Sequence, residues 1–257
     1  MSHPLSVIVT TYNEADHIGR CLASVQGLSD DVLVVDSFST DATVAIAHTH
    51  GARVEQRPYQ GPAEQKNWAI PQARHEWVLL LDADEVVTPD LRDELTQLLA
   101  NDVPPAAAAY WIGRNNYFLG QRIRFSGWQG DRVVRFFHRD RARYADVQVH
   151  EEIITDGLPT GSLRGRLEHY TFRNLDHYLD KTRRYARWSA QDHAARTPRV
   201  GYYHLWAKPT FRFFKHFVIQ QGFRDGKVGF IVSAIMAWGV FLRYAYLAGQ
   251  QRQRPAG

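Results

Sequence analysis

Cysteine is almost absent from this sequence. Cys21 is the one thiol in 257 residues, which excludes an internal disulfide framework and a cysteine-built zinc site. The N-terminus lacks a basic segment followed by an apolar one. Met1-Ser2-His3-Pro4 runs straight into a strand-like stretch, so no signal peptide and a cytosolic setting are expected. The apolar run Val228–Leu242 has 15 residues and is ended by Arg243, short of the ~20 needed to cross a bilayer. Internal repeats and low-complexity tracts are also missing. With 44% hydrophobic and 23% charged residues, wholesale disorder and collagen-like structure are excluded.

The first hundred residues are short of cations. They carry 6 Lys/Arg against 15 Asp/Glu, a charge of −9, whereas residues 101–257 carry 25 against 12, a charge of +13; together these give the net +4. An acidic first half suits a site that holds a cation. A basic second half suits an anionic partner such as phosphate, nucleic acid or anionic lipid. The alternative is solvated charge that has merely segregated.

Strand and helix signals alternate over this first stretch. Leu5–Thr10 reads as a buried strand. After Asn13, read as a helix cap, Ile18, Leu22 and Val25 share one helical face. Strands are expected at Asp31–Asp36, Ala52–Gln56 and Trp77–Asp82. Helices are expected near Ala42–His48, over Ala63–Ala73 and from Thr88-Pro89-Asp90 onward, the last with Leu91, Leu95, Leu98 and Leu99 on its apolar side. Continuous apolar strands between amphipathic helices imply an α/β fold with a mostly parallel sheet covered on both faces. Residues 101–109 read as a surface connection. Short strands such as Arg132–His138 and Arg166–Phe172 follow, and from Leu175 the chain reads helical. Phe211, Phe213, Phe214 and Phe217 interleave there with Arg212, Lys215 and His216. That pattern suits an interfacial helix at an anionic membrane surface, or alternatively a packed helical subdomain or oligomer contact.

In a doubly wound sheet, ligands bind outside the carboxyl ends of the strands. Those ends read Thr10-Thr11-Tyr12-Asn13-Glu14, Asp36-Ser37 and Asp82-Ala83-Asp84-Glu85. Carboxylates at three converging ends would each need a cation if buried, and this half has few, so a common ligand is the simpler expectation. Two carboxylates two residues apart after an apolar strand suit Mg²⁺ or Mn²⁺ carrying a diphosphate.

These segments, with Ser39-Thr40-Asp41, resemble family 2 glycosyltransferases of the GT-A fold over roughly residues 4–100. Arg135-Phe136-Phe137, Val149-His150-Glu151, His169-Tyr170 and Gly222–Gly226 are similar to the branch that includes lipopolysaccharide inner-core β-1,4-glucosyltransferases. The resemblance implies a GT-A domain over 1–174, with a nucleotide-sugar half at 1–100 and an acceptor half at 101–174. A helical membrane-proximal or oligomerisation extension would follow at 175–257. It also implies that Thr10, Thr11, Tyr12, Glu14, Asp36, Lys66, Asp82 and Asp84 bind a UDP-sugar, and that Asp84 with His169 holds the metal. Lys66 reads equally as a solvated helical lysine.

Inverting transfer needs a base for the acceptor hydroxyl. Relatives carry it in a Glu-Asp pair, whereas this chain has His150-Glu151-Glu152; Glu151 is the expected base, with Glu152 and Asp146 behind it. Arg132 and Arg135 are candidates for clamping phosphate, and Trp128 either stacks on sugar or belongs to a core. The implied partners are a UDP-sugar donor, a lipid-linked or lipopolysaccharide-core saccharide acceptor and an anionic membrane surface, without nucleic acid and with a possible homo-oligomer. Two other readings compete. A nucleotidyltransferase would want a Gly-rich phosphate loop where Thr-Thr-Tyr-Asn-Glu stands. A nucleic-acid or membrane-binding module would rest on Arg132–Arg143 and would leave the acidic strand ends unexplained.

Overall fold

The computed structural model describes residues 2–145, 153–155, 157–172 and 174–253. The chain divides into two compact units, residues 1–115 with 131–170, and residues 116–130 with 171–257. The stretch 116–130, expected within the acceptor half, thus groups by contact with the C-terminal helices.

The first unit opens with β1 (Leu5–Thr11), α1 (Ile18–Val25), β2 (Asp31–Asp36), α2 (Thr43–Thr49), β3 (Arg53–Gln56), α3 (Pro62–Ala69) and β4 (Trp77–Asp82). There follow along the chain β5 (Glu85–Val87), α4 (Pro89–Ala100), β6 (Ala109–Phe118), β7 (Gln121–Arg122), β8 (Arg132–His138), β9 (Arg143–Tyr144), β10 (Ile153–Ile154) and β11 (Thr160–His169), of which β7 and the end of β6 group with the second unit. The main sheet has the order β3-β2-β1-β4-β8-β6-β11-β5. Its β3-β2-β1-β4 part is parallel, while β8 joins β4, β6 joins β8 and β5 joins β11 antiparallel. The sheet is therefore mixed, and its parallel part coincides with the apolar strands of the first hundred residues.

Alternation along the strands explains why both faces are covered. Leu5, Val7 and Val9 of β1 and Trp77, Leu79 and Leu81 of β4 enter one buried cluster with α1 and α4. Ile8, Val78 and Leu80 enter another with Ala63 and Ala69 of α3, because successive side chains point to opposite faces. Thr88 caps α4 by accepting the Leu91 N–H, with Pro89 at the first position. Leu91, Leu95 and Leu99 are fully buried. A side chain at Gly165 would place its Cβ 2.3 Å from the Leu91 Cα, so the approach of β11 to α4 requires glycine there.

Local expectations shift in three places. Asn13 does not cap α1. It adopts φ 52° and its Oδ1 accepts the Thr40 N–H at 2.8 Å, tying the loop after β1 to the loop after β2. The expected strand Arg166–Phe172 runs instead from Thr160 to His169. The third shift concerns the apolar tail of the second unit.

That unit contains α5 (Leu175–His193), α6 (Lys208–Phe214), flanked by π-helical turns at Tyr203–Ala207 and Lys215–Ile219, and α7 (Gly226–Gln253). Phe118, Ile123, Tyr178, Val232 and Ile235 form one core, with Phe172 stacked on Tyr178 at 3.9 Å. Trp128 packs on this core, in keeping with the core alternative for that residue. Asp225 is buried and accepts the N–H groups of Arg124 and Phe125 at 3.0 and 2.9 Å and the Ser126 hydroxyl at 3.2 Å. Gly229 admits no side chain, since its Cβ would stand 1.9 Å from the Gly222 carbonyl oxygen. The helix of the tail does not stop at Arg243. The continuous helical segment Gly222–Arg252 spans 31 residues and contains an 18-residue window of mean hydropathy 1.7, long and apolar enough by length and composition to cross a membrane. The 15-residue run understated it because Tyr244–Leu247 resumes the apolar character beyond a single arginine.

Candidate active site

The crevice at the carboxyl ends of the parallel strands gathers most of the expected residues, because register fixes them as neighbours. Thr10 pairs with Asp82 and Thr11 with Asp36 across β1. The Thr10 hydroxyl donates to Asp82 Oδ1 at 3.1 Å. Lys66 of α3 is buried with its Nζ 3.4 Å from the same oxygen and 5.1 Å from the centre of the Tyr144 ring. Lys66 is thus neither a solvated surface lysine nor remote from the strand ends.

The cations that the first hundred residues lack come from later strands. Arg135 on β8 donates through Nε to Glu85 Oε2 and through Nη2 to Glu85 Oε1, both at 2.9 Å. It also pairs with Asp82. Arg114 on β6 reaches Glu85 Oε1 at 3.2 Å and forms a two-bond contact with Asp131, each bond 3.0 Å. Glu85, fully buried, also accepts the Asp82 N–H at 3.0 Å. The expectation that every strand-end carboxylate shares one ligand therefore fails for Glu85, which has two arginines. Arg135, spent on these carboxylates, is not a phosphate clamp, and Arg132 lies with its guanidinium 4.8 Å from the Trp111 ring centre. Burial pushes the Asp82 carboxyl up, but Arg135, Lys66, His169 and Arg114 outweigh it and hold it well below the usual carboxylate range. Burial pulls Arg135 down while Asp82 and Glu85 raise it further, and the net direction is up. Burial, with Glu85, Asp84 and Asp82 nearby, pushes the Cys21 thiol well up, leaving it inert.

Asp84 differs from its neighbours. Its Oδ2 lies 3.5 Å from His169 Nε2, a contact set by the antiparallel pairing of β5 with β11 and by the Tyr170 N–H donating to the Asp84 carbonyl at 2.9 Å. A carboxylate oxygen and an imidazole nitrogen at one point fit a divalent cation that takes its remaining ligands from phosphate oxygens or water. Among the described residues no group of three or more His, Cys, Asp and Glu side chains gathers, so the protein would supply two donors.

Farther along the crevice, Asp36 is wholly buried. It accepts the Ser39 N–H and Gln56 Nε2, each at 2.9 Å, and the Ser39 hydroxyl, so most of its acceptor capacity serves the loop after β2. Glu14 pairs with His17 Nδ1 at 2.7 Å, and its N–H donates to the Thr43 hydroxyl at 2.8 Å. Tyr12 is exposed. Two buried polar atoms here have no hydrogen-bond partner among the described residues, Thr11 Oγ1 and Gln65 Oε1. Gln65 is a residue that sequence reasoning missed, since nothing distinguishes it from a solvated helical glutamine until α3 is placed. The carboxylate partnership of Arg135 was detectable in principle, because an arginine inside Val133-Val134-Arg135-Phe136-Phe137 must bring a partner with it.

Asp146, His150, Glu151 and Glu152 lie outside the described residues. Of the described residues that flank them, Ile153 pairs with Tyr144, and Asn67 exchanges two 2.9 Å hydrogen bonds with the Tyr144 backbone. The Tyr144 hydroxyl accepts from Arg135 at 3.3 Å, so Tyr144 stands beside the Asp82 cluster.

The comparisons with known proteins agree with this geometry. Residues 6–157 match the family described as Glycosyl transferase family 2. An uncharacterised glycosyltransferase of Rickettsia felis is 31% identical over 95% of this chain and 89% of its own length. A lipopolysaccharide core biosynthesis glycosyltransferase of Rhizobium meliloti is 28% identical over 94% and 91%. Among solved structures, the mannosyltransferase of Pyrobaculum calidifontis in complex with GDP-Man and Mn²⁺ superposes with a TM-score of 0.52 at 18% identity, over 99% of this chain and 88% of that one. That likeness shows the shared GT-A fold. The sequence match over the strand-end site and the relatives that span nearly the whole chain make this protein a glycosyltransferase of family 2.

Proposed function

We propose that the protein is an inverting, metal-dependent hexosyltransferase that uses a UDP-sugar, glucose being the sugar implied by the resembling branch, and acts on a lipid-linked saccharide of the lipopolysaccharide-core kind. The observation that carries the donor half is the Asp84–His169 pair beside a crevice whose buried Thr11 Oγ1 and Gln65 Oε1 lack partners. Unpartnered buried polar atoms are rare in folded proteins and mark places where a ligand completes the hydrogen bonding. Thr10, Thr11, Tyr12 and Glu14 border the nucleoside, with Asp36 shaping the adjoining loop. Lys66 and Asp82 lie towards the ribose and donor sugar. Mg²⁺ or Mn²⁺, held by Asp84 and His169, would supply the positive charge that offsets the leaving diphosphate.

The acceptor half rests on Glu151, with Glu152 behind it; the reading is supported by the chain position of the two between Tyr144 and Ile153, which pair with each other. Glu151 takes the proton of the acceptor hydroxyl as that oxygen bonds to the anomeric carbon. The bond from that carbon to the diphosphate oxygen breaks on the opposite face, and the configuration inverts. The relative named for lipopolysaccharide core biosynthesis favours a saccharide acceptor on a lipid. The basic, aromatic helices favour an anionic membrane surface on the cytoplasmic side.

Calorimetric titration of UDP with and without Mn²⁺ tests the donor half. Wild type should bind in a manganese-dependent way and Asp84→Asn should weaken that binding about 100-fold. Equal affinity in the variant removes the metal assignment. Glu151→Gln should lower turnover about 10²–10⁴-fold with UDP affinity unchanged, and near-normal turnover would move the base to Glu152.

A further inference from the structure

The second unit holds a groove that the glycosyltransferase reading does not use. From Ala194 to the end of the sequence, Asp225 is the one carboxylate side chain against ten Lys and Arg, and Asp225 is buried with three protein donors. Four of the cations meet in one place. Lys208, Arg212 and Lys215 from the α6 segment and Arg243 from α7 line a cavity of about 510 Å³, together with Tyr203 and Phe211 among its aromatic wall.

None of these four cations has a carboxylate partner among the described residues. Lys208 Nζ donates to the Tyr244 hydroxyl at 2.7 Å. Arg212 Nη1 contacts His216 Nε2 at 3.3 Å, and Arg243 Nη1 contacts His193 Nε2 at 3.4 Å. The Arg243 Nε is buried with no hydrogen-bond partner among the described residues. Burial and the nearby Arg243 both pull Arg212 down from its ordinary value. Like charges brought together in a partly buried groove are unfavourable without a counter-anion. In the strand-end site, by contrast, each buried arginine meets a carboxylate.

We propose that this groove binds the phosphate of an anionic lipid at a membrane surface, the phosphate among Lys208, Arg212, Lys215 and Arg243. Guanidinium and ammonium groups give charge-assisted hydrogen bonds to phosphate oxygens. The surrounding segment favours a lipid over free phosphate. Tyr202, Tyr203, Trp206, Phe211 and Phe214 are all more than half exposed, and aromatic residues beside basic ones are the composition of helices that lie in the headgroup region. Of these, Tyr203 and Phe211 also line the groove, which places apolar area next to the cations. The proposal is independent of the donor chemistry, so its outcome does not depend on the identity of the sugar.

The test uses the full chain and two probes. Calorimetry with water-soluble dihexanoyl phosphatidic acid should show saturable one-to-one binding. The double variant Arg212→Gln/Arg243→Gln should weaken it at least about tenfold, as should the milder Lys215→Gln to a smaller extent. Arg199→Gln/Arg224→Gln, an equal loss of charge on exposed residues outside the groove, should change it less than about twofold. Sedimentation should then show binding to phosphatidylcholine vesicles containing phosphatidic acid and little to phosphatidylcholine alone. Far-UV circular dichroism and thermal unfolding of each variant show whether it remains folded. The proposal is overturned by any of three results: non-saturable binding, equal loss in the two double variants, or inorganic phosphate binding as tightly as the short-chain lipid.

Discussion

The strand-end site of the first unit and the cationic groove of the second both collect partly buried charge, but they balance it differently. Around Glu85 the charges are matched. Arg135 and Arg114 face Glu85 and Asp131 with distances near 3 Å, and Arg135 also pairs with Asp82; a matched buried network serves mainly to hold a geometry. In the groove, four cations gather with no carboxylate. Asp84 lies 3.5 Å from a histidine, a donor pair that fits the proposed cation. Buried charge therefore points to a ligand where the protein leaves it unbalanced. By that criterion the groove cations are ligand-facing, whereas Glu85 and Arg135 are scaffold; the assignment of Asp84 rests on its pairing with His169.

The largest expected effect breaks the matched side of this contrast. Arg135→Met would leave Glu85 and Asp82 buried without their main counter-charge, a change that costs about 3–5 kcal/mol. Arg243→Met removes a cation that has no carboxylate partner among the described residues and is repelled by Arg212, so its stability should stay within about 1 kcal/mol of wild type. Denaturant unfolding of both variants measures the difference. Equal destabilisation would mean that Arg243 is held by the fold as firmly as Arg135, and the contrast would be lost.

A smaller effect probes the unpartnered atoms. Thr11 Oγ1 is buried without a hydrogen bond among the described residues, so Thr11→Val, nearly the same shape, should leave stability unchanged or raise it by up to about 1 kcal/mol. The same change should weaken UDP binding about fivefold, because the hydroxyl would then be missing from the complex. A loss of stability without loss of UDP binding would make Thr11 a structural residue.

How far these features were legible in the sequence follows from how local they are. β1 and β4 announce themselves through Leu5–Val9 and Trp77–Leu81, and Thr88-Pro89 marks the start of α4, because capping and strand burial are written in consecutive residues. The cluster Asp82–Glu85 was visible, yet its sorting into scaffold and ligand-facing carboxylates was not. That sorting depends on the antiparallel pairing of β8 with β4, Leu79 opposite Phe136, which brings Arg135 across 53 residues. The start of β11 was missed because Arg164, Gly165 and Arg166 mask an alternation in which Gly165, Leu167 and His169 turn inward. The cationic groove was half legible. The basic aromatic stretch was plain, but Arg243 read as the end of an apolar run until the helix carried it alongside Lys208, Arg212 and Lys215.

The smallest effect concerns pH and separates the two regions by the window in which they respond. His216 is buried; its Nδ1 lies 2.7 Å from the Ser126 carbonyl oxygen and its Nε2 is 3.3 Å from Arg212 Nη1. The neutral ring suits both neighbours, donating at Nδ1 and accepting from Arg212 at Nε2, whereas protonation would turn two donors toward each other. Burial lowers its pKa most; the Ser126 hydrogen bond pulls it back up, Arg212 and Lys215 lower it further, and the net direction is below the ordinary 6.5. A basic group whose pKa is lower folded than unfolded favours folding while both forms are neutral. That contribution is complete above the unfolded value and is lost as pH falls through 6.5 toward the folded pKa. Thermal unfolding should therefore show the second unit weakening between about pH 7 and about pH 5, a range in which carboxylates such as Asp82 stay ionised. His216→Gln, which can still donate to Ser126 and accept from Arg212, should flatten that slope while leaving the acid-limb loss below about pH 4 in place. A slope that survives the substitution would assign it to another group, and one that disappears ties the helical unit's acid response to this single imidazole.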